Sequence, residues 1–208
     1  MRVSLLGISL FLILISGWMA LTVGAVEPIE RNIIYIHVPA SICALACFCV
    51  LFVCSILYLK TKNNRWDYIA AASGEVGFVF ATVLNITGMV FARIEWNAWW
   101  TPSPRLISSA VLWFLYAAYI MLRSALPAPR TKKIIGAVFG IIAFIDVPLV
   151  VLSARFIPDI HRPAFSFDTL NQILALALAV CGTILLMIAL LRIKSDVLKI
   201  KDRMDTEL

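Results

Sequence analysis

A chain of 208 residues that is 62% hydrophobic and 14% charged, with mean hydropathy +0.96, departs from soluble domains, which are about half apolar and about a quarter charged. Six stretches with at most one charge each take up 132 of the 208 residues and leave no connection longer than 14, which excludes a water-soluble catalytic domain of about 50 residues or more. The net charge of +6 comes from basic residues dispersed at the ends of the stretches, so no single stripe for nucleic acid is present.

The first stretch, residues 3–26, follows Arg2 and contains Val23-Gly24-Ala25, which resembles a signal cleavage site. Its apolar run exceeds the roughly 7–15 residues of a signal h-region, so a retained helix is expected. Residues 27–37 close on His37, one of two histidines in the chain. The second stretch, 38–59, holds Cys43, Cys47, Cys49 and Cys54. Without a C-x-x-C spacing these read as small buried hydrophobes, as does Cys181 in the sixth stretch.

The third stretch, 68–92, carries Glu75 near its middle. An acid there is costly and by default functional. We expect a protonated interhelical hydrogen-bonder, or a carboxyl facing polar groups such as Asn85. Residues 93–105 hold Trp96, Trp99, Trp100 and Arg105. A lone interfacial tryptophan is explained by its amphipathic ring. Three within five residues, beside two prolines, exceed that explanation.

The fourth stretch, 106–122, ends before the non-helical Pro127-Ala128-Pro129. The fifth, 134–154, carries Asp146 just before Pro148, where a structural role is expected because the proline frees a backbone carbonyl four residues earlier. Residues 155–168 contain His161, and the sixth stretch, 169–191, runs into a tail, 192–208, whose alternating charges read as a solvated helix end. Neither an internal repeat nor a clear helix break is visible.

Each stretch is close to the roughly 20 residues that cross a hydrocarbon core as a helix. The expected fold is all-α: one membrane domain over residues 1–208, a polytopic bundle of six transmembrane helices. Lysine and arginine mark the cytoplasmic ends of spans. Segments 1–2, 60–67, 123–133 and 192–208 hold 13 of the 18 basic residues, against 5 in 27–37, 93–105 and 155–168. Both termini are therefore expected in the cytoplasm, with His37, the tryptophan loop and His161 together at the outer face.

A flat apolar macrocycle with a central metal and acid groups on one edge would use all three features. Neutral imidazoles ligate haem iron axially, indoles offer apolar stacking area, and Arg105, Arg93 or Arg162 suit propionates. Zinc fits less well, since two histidines lack the third and fourth ligands such sites use, Asp159 being the one acid near His161.

The segment Tyr35-Ile36-His37-Val38-Pro39-Ala40 resembles the Y-I-H-V-P-A stretch of the haem exporter protein C family, CcmC, of cytochrome c maturation. Thr87-Gly88, then Trp96-Asn97-Ala98-Trp99-Trp100 and Arg105-Leu106-Ile107-Ser108, are similar to that family's W-x-x-W-W-x-W-D-x-R-L-x-S signature. Ile145-Asp146-Val147-Pro148 resembles its I-N-V-P element, and His161 matches its second periplasmic histidine. The resemblance implies a multi-pass inner-membrane protein that holds haem b non-covalently and transiently at its periplasmic face. It further implies His37 and His161 as axial iron ligands, with Trp96, Trp99, Trp100 and Arg105 completing the site. Implied partners are the haem chaperone CcmE, the ABC subunits CcmA and CcmB, and the small membrane protein CcmD.

The chain departs from the signature at Thr101-Pro102-Ser103-Pro104, losing one tryptophan and the aspartate, and around His161, where it has Phe156-Ile157 before and Arg162 after. Binding and handover are expected, without catalysis. A cytochrome b-type electron carrier usually has histidines within its helices, often for two haems across the membrane, whereas two histidines at one face allow at most one bis-histidine haem. A secondary transporter using Glu75 and Asp146 is the other alternative, and such proteins commonly show repeats and helices broken near the midplane.

Overall fold

The computed structural model describes residues 2–23, 32–156 and 169–207. Those residues form seven helices and no strand: α1 (Arg2–Val23), α2 (Ile34–Thr61), α3 (Asn64–Trp96), α4 (Pro104–Ala125), α5 (Pro129–Ala143), α6 (Asp146–Phe156) and α7 (Leu170–Glu207). Among the described residues six spans are long and apolar enough to cross a membrane, with α5 and α6 sharing the one from Pro129 to Ser153. This is the all-α polytopic arrangement that the apolar stretches imply, because inside lipid a helix satisfies its own backbone.

Local signals set the ends. The Asn63 side chain accepts from the Arg65 N–H to cap α3. Asn97 closes that helix with φ 52°, a left-handed conformation that asparagine tolerates better than most residues. Ser103 caps α4 and Pro104 enters its first turn, where a missing N–H costs nothing.

α2 is central, packing along α3 and also against α5 and α7, while α1 lies along α7. α3 carries a run of small buried residues, Ala70, Ala71, Ala72, Ser73, Gly74 and Gly77, and approaches α2 closely at Gly77. A methyl group at Gly77 would lie 2.6 Å from Phe48 Cε1 and 2.8 Å from Cys47 Cβ, so here the backbones approach through a missing side chain. Phe48 stacks on Tyr116 of α4 at 3.5 Å between ring centroids. Cys43 and Cys47 are fully buried in this core, as small hydrophobes. Overpacking the seam with Gly77→Val is expected to cost about 1–3 kcal/mol. The measurement is the midpoint of SDS-induced unfolding, and an unchanged midpoint counts against this seam.

The fifth span corrects the expectation of unbroken helices. It is interrupted at Phe144–Ile145, between α5 and α6. Pro148 has no N–H for the Phe144 carbonyl, which accepts instead from Val147 N at 3.0 Å, a tighter turn. Asp146, only 8% exposed, then falls in the first turn of α6, where a carboxyl complements the positive helix end.

Two further expectations change. Glu75 neither faces Asn85 nor stands alone: its carboxylate pairs with Lys194 Nζ of α7 at 2.5 Å, while Asn85 Oδ1 accepts from Ser109. Nor is the charged tail merely solvated. α7 has 38 residues, about 57 Å of helix against a core about 30 Å thick. Its polar extension folds back on neighbours: Lys133 Nζ of α5 donates to both Asp202 oxygens at 2.8 Å, and Tyr68 OH of α3 donates to the same carboxylate at 2.5 Å. Beside it, Arg123 of α4 clasps Asp67 of α3 in a two-pronged pair at 2.7 and 3.0 Å. Charges that periodicity marks as helix ends are thus cross-links between helices.

Candidate functional site

Because α2 and α3 are antiparallel neighbours, the start of α2 and the end of α3 lie at one end of the bundle, with the start of α4 following directly. This brings His37, the tryptophan loop and Arg105 to the same end. His161 lies outside the described residues, as do Asp159 and Arg162, and its relation to His37 is an expectation from the sequence.

His37 occupies the first turn of α2, its N–H bonded to the Ile33 carbonyl at 2.9 Å. Its half-buried imidazole reaches across to α3, where Nδ1 lies 2.9 Å from Thr87 Oγ1. The next residue, Gly88, offers no side chain, and a methyl group there would lie 3.4 Å from His37 Cε1. The hydroxyl of Thr87 has one hydrogen, and it is directed back to its own helix, to Val83 O at 2.7 Å with Leu84 O at 3.1 Å. With that hydrogen on its own helix, Thr87 is placed to accept toward His37, and the tautomer that uses it has its proton on Nδ1 and its lone pair on Nε2. Hydrogen bonds of this kind orient metal-binding histidines and raise their basicity.

Trp96 ends α3 nine residues beyond Thr87, about 13 Å farther along the axis. The tryptophan loop thus rises past the level of the imidazole instead of lying beside it. Trp96 is half-buried and meets Phe91 edge-on at 5.8 Å between centroids. Trp99 and Trp100 are 57% and 41% exposed. Arg93 braces this loop: Nη1 donates to the Asn97 carbonyl and side-chain oxygen at 2.7 and 2.5 Å, and its guanidinium lies 6.0 Å from the centre of the Trp99 ring. Of the arginines considered for propionates, Arg93 already holds the loop, and Arg105, half-buried in the first turn of α4, stands at its other edge.

Ser103 stands where the signature has aspartate. Its Oγ accepts from Leu106 N at 3.4 Å, the helix-capping task that aspartate also performs. Entry into α4 is therefore kept although the acid is lost. Among the described residues no three His, Cys, Asp or Glu side chains gather as a metal site.

The profile of the family described as heme exporter protein C matches residues 2–207, nearly the whole chain. The chain belongs to that family. It is 29% identical to the heme exporter protein C of Rhodobacter capsulatus over 119 residues, covering 54% of this chain and 49% of the relative. It is 28% identical to that of Escherichia coli K12 over 131 residues, 63% and 54% of the two chains. A mitochondrial protein of Marchantia polymorpha, named as ccmC-like in cytochrome c biosynthesis, is 26% identical over 133 residues, 64% and 56% of the two. The matched segments thus span about half the length of these curated relatives.

Within this exporter family member, Thr87 enters from the sequence only through the family resemblance, and its residue type gives it no role beside His37. A threonine inside an apolar helix bonds its own backbone by default. Only the packing of α2 on α3 reveals that the same oxygen also faces an imidazole.

Proposed function

We propose that this chain holds haem b, non-covalently and transiently, at the periplasmic face of a bacterial inner membrane and delivers it to the haem chaperone of cytochrome c maturation. His37 and His161 are the axial iron ligands in this reading. Trp96, Trp99 and Trp100 supply apolar and stacking surface, and Arg105 pairs with a propionate. CcmE receives the haem, and CcmA, CcmB and CcmD are the partner subunits. Membership of the heme exporter protein C family supports the cargo. The surplus of basic residues at the opposite end of the bundle supports the orientation.

The observation that carries the reading is the bond between His37 Nδ1 and Thr87 Oγ1. It supports the tautomer with the proton on Nδ1 and the lone pair on Nε2, the arrangement an axial ligand needs. Glu75, tied to Lys194, is occupied in holding α3 to α7, which weighs against a transporter coupled through that carboxyl.

The test is a spectrum of the detergent-purified chain after haem supplementation. A low-spin, bis-histidine spectrum is expected, weakened by His37→Ala and by His161→Ala and lost in the double variant. A colourless wild-type protein overturns the reading.

A further inference from the structure

At the basic end of the bundle an open groove of about 900 Å³ runs between the first turns of α3 and the C-terminal half of α7. Its lining changes character along α7: Ile188 and Leu191 come first, then Arg192, then Lys199 and Arg203, while α3 contributes Ile69 and Arg65. The groove is apolar where α7 leaves its hydrophobic stretch and cationic where it leaves the membrane.

Two sets stand out among the cations at this end. Arg123, Lys133 and Lys194 are each held by an acid on another helix. Arg65, Arg192, Lys199 and Arg203 are exposed, and among the described residues none of them is in an ion pair, Arg65 lying over the Trp66 ring. Four positive groups therefore line one cavity with a single acid, Asp196, among its lining residues. Like charges gathered at the edge of a low-dielectric slab repel one another more than they would in water. An anion between them removes that cost.

Two features together specify the ligand. The cations call for an oxyanion with several acceptor oxygens, which a phosphate group provides. The apolar floor calls for hydrocarbon joined to that oxyanion, which inorganic phosphate lacks. We propose that this groove is a binding site for an anionic glycerophospholipid, its phosphate among Arg65, Arg192, Lys199 and Arg203 and its acyl chains along Ile69, Ile188 and Leu191. Basic pockets at the ends of membrane helices recognise headgroups in this way. A lipid seated there would brace the long extension of α7 against α3 beside the Asp202 cross-link, and its binding is independent of the haem reading.

The full chain in nanodiscs of mixed phosphatidylcholine and phosphatidylglycerol, released and weighed by native mass spectrometry, should retain phosphatidylglycerol selectively. Each basic residue near a membrane surface contributes about fivefold, so the triple variant Arg192→Gln, Lys199→Gln, Arg203→Gln should lower that selectivity roughly a hundredfold. The matched triple Arg130→Gln, Lys132→Gln, Lys201→Gln, outside the groove, should lower it far less. Photoactivatable phosphatidylglycerol on the wild-type chain, which requires no variant to fold, should cross-link to the groove walls, residues 63–69 and 188–203. Equal retention of phosphatidylcholine, equal loss in both triples, or cross-links elsewhere overturn the proposal. Release of the lipid by added inorganic phosphate also overturns it, marking a free-phosphate site. A groove that takes an acidic protein segment from a partner would show no lipid selectivity, and that outcome overturns it as well.

Discussion

Asp67→Ala is expected to destabilise the bundle by about 3–5 kcal/mol, the usual penalty for removing one partner of a buried ion pair. The side chains of Arg123 and Asp67 are only 13% and 4% exposed. Nor can the orphaned guanidinium swing away easily. It lies 5.7 Å from the centre of the Tyr119 ring, and its Nη1 sits against Gly136 of α5, where a methyl group would come within 2.5 Å. Arg123 is thus packed between α3, α4 and α5, and losing Asp67 leaves its charge without a counter-charge in place. Replacing both partners, as in Asp67→Leu with Arg123→Met, should recover much of the loss, since the cost lies in the unpaired charge and not in the missing attraction. Unfolding in SDS, followed by far-ultraviolet circular dichroism, measures both. A single-variant loss below about 1 kcal/mol, the worth of an exposed pair, would mean that water reaches the clasp.

Thr87→Val, which keeps the shape and removes the oxygen, should weaken haem binding by about 10- to 100-fold, the range seen when the hydrogen-bond partner of a metal-binding histidine is removed. Thr87→Ser keeps the oxygen and should bind nearly as the wild type does. Because a general packing defect would also lower affinity, the decisive measurement is made without haem. Nitrogen-15 shifts of the His37 ring should show the proton on Nδ1 in the wild type and in Thr87→Ser, and a mixture of tautomers in Thr87→Val. Unchanged shifts and unchanged affinity in Thr87→Val would remove Thr87 from the site. A wild-type chain with the expected shifts and no haem binding would instead retain the hydrogen bond and discard the axial-ligand reading.

The six crossings were legible because a backbone in hydrocarbon has few options, and 132 residues in nearly uncharged runs leave little besides helices. The loop with three tryptophans was legible too, since its density exceeds what an interfacial belt explains. Partners across helices were not legible. Glu75 reads from sequence as an isolated acid in an apolar span, and Lys194, which neutralises it, lies 119 positions away, just past the end of another. Asp202 sits in a tail whose alternating charges read as solvated, yet Lys133 and Tyr68 both reach it. The break at Phe144–Ile145 had its signal in Pro148, but whether a proline kinks a helix or divides it depends on what takes the freed carbonyl.

By itself the chain determined its solvent, its number of crossings, the clustering of unusual residues in the loops and the family to which it belongs. These depend on composition and on local spacing along one helix or loop. Tertiary structure alone decided that the Thr87 oxygen meets the His37 ring, that Arg123 is locked on Asp67, and that four cations share one groove. Each of these depends on which faces of separate helices meet, and helices in lipid choose their faces by close packing of small residues such as Gly77 and by polar contacts, not by any periodic hydrophobic stripe.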